Sequence, residues 1–188
     1  MLVGCGVLQR EIRWLIEKNG WPLETCFLDS ALHSELDKLS ASLTGALERY
    51  RDRDVIVFYG CCHPLMDEML VRFGVIRTEG QNCVDMLLGH QRFSEELAGG
   101  AFFLLEEWAR RWDRIIAATF GDARLDVVRE IFHEDRTHLL CVRTPCSGDF
   151  AEAAESAARL VDLPIEWTDV TLDSLEAVLQ RAILQLAG

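Results

Sequence analysis

Basic residues are scarce in this chain: 19 Lys and Arg stand against 31 Asp and Glu, a formal net charge of −12. Phosphate binding needs clustered Lys and Arg, so no nucleic-acid partner is expected, and an anionic membrane surface is disfavoured. The acidic residues are spread along the chain, which describes a solvated surface rather than an acidic tail. Long apolar runs are also missing. None approaches the roughly 20 residues that span a bilayer. There is no G-x-G-x-x-G, P-loop or G-x-S-x-G, and "GCGVLQ" is too short for a dinucleotide fingerprint, which disfavours nicotinamide and ATP. Low-complexity tracts and short repeats are absent. No C-x-x-C occurs, so the compact spacing of zinc fingers and ribbons is absent too.

What is present is a globular composition. The 188 residues are 49% hydrophobic and 27% charged, enough for one domain or two small lobes with a real core. The opening "MLVGCGVLQREIRW" is apolar for only about 8 residues and lacks a basic leader, so it reads as a first strand rather than a signal peptide. Seven cysteines is a high and odd count. Without an export signal they point to a reducing, cytoplasmic setting, where cysteines serve as ligands, catalysts or core.

Apolar runs alternate with helix-period segments. Met1 to Val7 reads as strand, followed by a helix with Leu8, Ile12, Leu15 and Ile16 on one face and Gly20 as its stop. "ETCFLD" is a second strand, and Ser34 to Tyr50 a helix with Leu36, Leu39, Leu43 and Leu47 inward. The unbroken "DVIVFYG" suits a strand covered on both faces. A short helix, the strand "GVIRTEG" and the helix "CVDMLLGHQRFSEEL" follow. After Gly99-Gly100 come the strand "AFFLLEE", the helices "WARRWDRIIAATFG" and "DARLDVVREIFH", the strand "THLLCVRT", a helix, the strand "IEWTDV" and a last helix. This alternation predicts an α/β fold, Rossmann-like, with a mainly parallel sheet and flanking helices. Residues 1–188 read as a single domain that allows two similar lobes, 1–98 and 99–188.

In such sheets ligands collect at the carboxyl ends of the strands. Cys5 lies near the end of the first strand, Cys61 and Cys62 just after the third, and Cys83 where the fourth gives way to a helix. Parallel strands would bring these groups to one edge. Helix N-termini there are expected to lower thiol pKa and favour the thiolate, the form that binds soft metals or attacks electrophiles. Three thiolates hold zinc with a fourth ligand, or anchor an iron–sulfur cluster with one open position. His63, Asn82 and His90 are candidates for the fourth or supporting group. The competing reading is that these cysteines are small buried hydrophobes. The glycines beside Cys5 and Cys62 weigh against it, because close backbone approach needs glycine. Cys26 reads as core, Cys141 as core and Cys146 as a loop residue. His33, His133 and His138 read as surface or strand-flank residues. Trp108 and Trp112 share one helical face and read as core. Glu106 and Glu107 end a strand and point to opposite faces, a poor acid/base pair. Ser147-Gly148-Asp149 caps the helix after it.

Three stretches, "MLVGCGVL", "FYGCCHPL" and "QNCVDMLLGH", resemble a family known as the domain of unknown function 1638, whose pattern reads M-L-I-A-C-G-x-L, G-Y-G-L-C-G-N-G and H-D-C-I-x-L-L-L-G-S. "FFLLEEW", ending at Trp108, resembles its Y-Y-L-T-P-G-W. The resemblance spans roughly the first 110 residues and assigns the family cysteines to Cys5, Cys62 and Cys83. It implies an association with corrinoid-dependent methyltransferase systems. The departures are His63-Pro64-Leu65 for G-N-G, Gln81-Asn82 for His-Asp, Leu105-Glu106-Glu107 for T-P-G, and an extra Cys61.

The expectation is a metal-binding protein with a site built from Cys5, Cys62 and Cys83, with Cys61 and His63 beside them. The site would hold an iron–sulfur cluster or zinc and serve redox or one-carbon, methyl-transfer chemistry. The alternatives are a cysteine-dependent transferase with Cys62 as nucleophile and His63 as base, or an accessory protein for a corrinoid methyltransferase. The partner is a small-molecule ligand or an enzyme, and a homo-oligomer is compatible with this reading.

Overall fold

The computed structural model describes residues 1–187. β1 (Leu2–Cys5) is buried along its whole length and runs through a 3-10 turn into α1 (Gln9–Asn19), which buries Ile12 and Leu15. Gly20 ends α1 in the left-handed region, φ 63°, as an αL cap requires. β2 (Thr25–Leu28) leads through a 3-10 turn capped by Asp29 into α2 (Leu36–Arg49). Leu39, Leu43 and Leu47 face the core, but Leu36 at the helix start stays exposed, so the inward stripe begins one turn later than the sequence predicts. β3 (Ile56–Phe58), α3 (Met66–Val71), β4 (Ile76–Arg77) and α4 (Cys83–Leu88) follow. The four strands form one sheet in the order β2-β1-β3-β4, every pair parallel, with Cys5 opposite Leu28 and Gly4 opposite Phe58.

The helix expected across "CVDMLLGHQRFSEEL" is two helices. Gly89, at φ 81°, ends α4, and α5 (His90–Ala98) starts at the next residue. β5 (Ala101–Leu105), α6 (Glu106–Ala109), α7 (Trp112–Phe120), α8 (Leu125–Asp135), β6 (His138–Arg143), α9 (Ala151–Val161) and β7 (Ile165–Asp169) complete a second parallel sheet, ordered β5-β6-β7. Glu106 and Glu107 open α6 rather than ending a strand. Each pairs with an arginine one turn on, Arg110 and Arg111, both at 2.8 Å. The last helix is α10 (Asp173–Ala187).

The chain therefore is α/β and Rossmann-like, with two all-parallel sheets flanked by helices. It divides into two compact units: Met1–His90 together with the chain from Leu172 onward, and Gln91–Thr171. α10 packs on α4, β4 and β3, and buries Leu175, Val178, Leu179 and Ala182. Glu176 ties it to α1, accepting from Lys18 Nζ and Asn19 Nδ2, both at 2.8 Å. The second unit has its own core of Leu104, Trp112, Phe132, Leu139, Cys141 and Phe150 with the small face of α9. Cys141 is buried there as core, whereas Cys26 in β2 is only half-buried. His138 opens β6 and is buried, and His133 Nε2 meets the carbonyls of Val161 and Asp162 where α9 ends. Asp149 Oδ1 accepts from the Ala151 N–H at the start of α9. Among the described residues no helix is long and apolar enough to cross a membrane.

Candidate functional site

Parallel strands of the first sheet end together, and their carboxyl ends carry the cysteines. Cys5 is the last residue of β1, Cys61 and Cys62 follow β3, and Cys83 is the first residue of α4. Two glycines let these segments close up. A Cβ on Gly4 would meet the Phe58 Cβ at 2.6 Å, so β1 and β3 touch backbone to backbone beside Cys5. A Cβ on Gly60 would meet the Gln81 carbonyl oxygen at 2.1 Å and the Asn82 Cα at 2.5 Å. The loop after β3 is thus pressed onto the loop before α4. The Cys61 N–H donates to that same Gln81 carbonyl at 2.7 Å. Chain contact at these points leaves Cys62 and Cys83 as neighbours.

Cys5 and Cys83 are each about 5% exposed and joined by a sulfur hydrogen bond. Cys62 lies within electrostatic reach of both. The structure therefore brings together Cys5, Cys62 and Cys83. All seven cysteines are thiols. Their ionisation runs opposite to expectation. The Cys83 thiol is held well above its ordinary value, first by its hydrogen bond to Cys5, then by burial and by the neighbouring charges of Cys5 and Cys62. Burial, with the Cys5 charge added, pushes Cys62 up to about 11. α4 has six residues, and the field at its first turn does not offset the loss of water around these sulfurs. Burial and mutual charge repulsion favour the protonated form of Cys62 and Cys83. Among the described residues, no group of three or more His, Cys, Asp or Glu is arranged, as it stands, to hold a metal ion.

The expected supporting residues are engaged elsewhere. His63 Nδ1 accepts from the Leu65 N–H at 3.0 Å and caps the turn that enters α3. Asn82 Oδ1 accepts from the N–H groups of Val84 and Asp85, both at 2.9 Å, as the N-cap of α4. His90 is exposed, with Nδ1 3.3 Å from the buried Asp85 Oδ1. Cys61 is exposed and lines a cavity of about 550 Å³ with Glu79, Asp85, His90 and Arg181. Cys61 and Cys62 therefore part: one thiol opens to solvent and the other turns to the cluster.

One residue at the site was not singled out by the sequence. Tyr59, between β3 and the cysteines, is about 1% exposed, and its hydroxyl has no hydrogen-bond partner among the described residues. Burial raises its pKa strongly, and the charges of Cys5, Cys83, Cys62 and Asp29 add to the shift. The available signal was a polar-tipped aromatic at the carboxyl end of a buried strand.

Among curated proteins, none matches this chain. A family described as a protein of unknown function, DUF1638, matches residues 27–179, a span that includes Cys62 and Cys83 and stops short of Cys5. With most of its length inside that match and its thiols at the strand ends of a parallel sheet, the chain belongs to the DUF1638 family.

Proposed function

We propose that the protein binds a thiolate-ligated metal centre, zinc or an iron–sulfur cluster, through Cys5, Cys62 and Cys83. The observation that carries this reading is the convergence of three thiols remote in sequence: Cys83 is hydrogen-bonded to Cys5, and Cys62 lies within electrostatic reach of both. Such a donor set is soft and suits these metals. The raised thiol pKa values fit it as well. Each would-be thiolate is opposed by burial and by the others' negative charge, and a cation among them reverses that sign. Metal entry then releases protons and turns the sulfurs from hydrogen-bonded partners into ligands. A bound centre would supply Lewis-acid or redox chemistry. The same pKa direction counts against Cys62 as a free nucleophile, since few of its thiols ionise near neutral pH. The association with methyltransferase systems and the cytoplasmic setting are compatible with this reading but are not what carries it.

The experiment is anaerobic purification followed by zinc, iron and sulfide analysis and an absorbance spectrum. Stoichiometric zinc, or iron with sulfide and visible thiolate-to-iron absorption, is expected. Cys5→Ser, Cys62→Ser and Cys83→Ser should each lose it, while Cys26→Ser and Cys146→Ser keep it. A folded, metal-free wild type with no affinity for zinc or iron would falsify the proposal.

A further inference from the structure

We infer that the cavity beside Cys61 is a binding site for a small organic cation, an ammonium head on an apolar body. The site is separate from the three-cysteine centre and does not rest on it. Every residue that lines the cavity belongs to the first unit. Its volume of about 550 Å³ is ordinary for a small-molecule site. It lies where α10 packs on α4. Gly89 allows that approach, since a Cβ there would stand 3.1 Å from Ser174 Oγ. Met86 and Val178, one from each helix, give the cavity an apolar wall. The polar side is built around Asp85, which is about 5% exposed. Its Oδ2 accepts from the Gln81 N–H at 2.7 Å and holds the loop before α4 in place. Its Oδ1 lies 3.3 Å from His90 Nδ1. A carboxylate only accepts, so Nδ1 carries the proton of this bond, and the neutral ring offers Nε2 as an acceptor. The imidazole is exposed, so the buried carboxylate orients it without burying it. Charge then selects the ligand. Glu79 and Asp85 stand against Arg181 alone, and Arg181 Nε already donates to Glu79 Oε2 at 3.2 Å. The lining is negative in balance, inside a chain of net charge −12. Such a field draws cations and repels anions. An ammonium group brings N–H donors, the complement of the acceptors on Glu79 and His90, and its apolar body matches Met86 and Val178.

The test is titration of the full chain with phenethylammonium and, at the same ionic strength, with hydrocinnamate, which puts a carboxylate on a closely similar body. Amide NMR shifts report position. The alkylation rate of Cys61, the exposed thiol on the same cavity, reports occupancy. Phenethylammonium should give saturable shifts at Gln81, His90 and Ser174 and slow the labelling of Cys61, whereas hydrocinnamate should do neither. Glu79→Gln and His90→Ala change exposed side chains, so both variants should keep the wild-type melt. Each should weaken phenethylammonium binding about 2- to 5-fold, the usual effect of removing an exposed charged contact. Hydrocinnamate binding as tightly as phenethylammonium would overturn the inference, because Arg181 would then select the ligand. Absence of saturable shifts with phenethylammonium would overturn it too, as would wild-type affinity in both variants.

Discussion

A thiol surrounded by other thiols and by apolar side chains keeps its proton, and this decides how the seven cysteines react. Cys61 is exposed, so iodoacetamide near pH 8 should label it first. Cys62 should follow slowly, because burial holds its pKa near 11. Cys83 and Cys141 should stay unlabelled until the chain unfolds; both are buried, and burial pushes Cys141 up to about 12. Peptide mapping at timed intervals checks the order, and early loss of the Cys83 thiol would contradict it. The same shifts set a pH dependence. A folded pKa above the unfolded one favours the protonated form in the fold. The associated stability is complete below the unfolded thiol value of about 8.5 and declines as pH rises through the folded value. For Cys62 the decline is on the order of 3 kcal/mol. Metal-free protein should therefore lose denaturant resistance between about pH 9 and 11, and Cys62→Ala should flatten that part of the curve. The positions of Cys5, Cys62 and Cys83 were legible because parallel strands place their ends at one edge. The direction of the pKa shift was not, because depth of burial is a property of packing and leaves no mark on spacing.

Elements here are positioned by a few close backbone approaches. Gly60 is the tightest, and any side chain at that position meets backbone atoms at 2.1–2.5 Å, which cannot rotate away. Gly60→Ala must separate the two loops and with them Cys62 and Cys83. A loss of about 2 kcal/mol or more is expected, within the range for overpacking and backbone strain. It should be accompanied by faster labelling of Cys83, so urea midpoints and alkylation rates would move together. Wild-type values for both would show that the loops are not held by this contact. Asn82→Ala removes two accepted hydrogen bonds from the start of α4. It should cost about 1 kcal/mol, as loss of an N-cap does. The element pattern itself was readable. β1, α1, β3, β6 and α9 lie where the apolar periodicity puts them, because buried apolar runs and amphipathic stripes dominate local sequence. The breaks were less readable. A glycine inside a helical pattern is compatible with continuation, and only the positive φ of Gly89 shows that α4 and α5 are separate. Glu106 and Glu107 alternate like strand residues in one dimension, and their arginine partners one turn later mark the helix.

At the scale of the whole molecule, linear order and spatial order differ at the C-terminal helix. Two parallel sheets follow each other in the sequence, and α10 comes after the second, yet it packs on the first. Its amphipathic pattern says that one face is buried and nothing about which sheet buries it, so the sequence cannot assign it. The consequence is testable. Leu175, Val178 and Leu179 are each nearly or fully buried on the first unit. At about 1.5–3 kcal/mol for each large apolar side chain removed from water, α10 contributes on the order of 5–8 kcal/mol. That is comparable to the whole stability of a typical domain, about 5–15 kcal/mol. A chain ending at Thr171 should therefore lose the first unit and keep the second. Cys5, Cys62 and Cys83 would all become open to alkylation at neutral pH, whereas Cys141, inside the core of Gln91–Thr171, would stay protected. Circular dichroism should retain a cooperative melt from the surviving unit, and the truncated protein should bind no zinc. Should Cys83 remain protected in that protein, the first sheet would be stable without α10, and the packing assigned to Leu175 and Leu179 would carry far less of the fold than their burial implies.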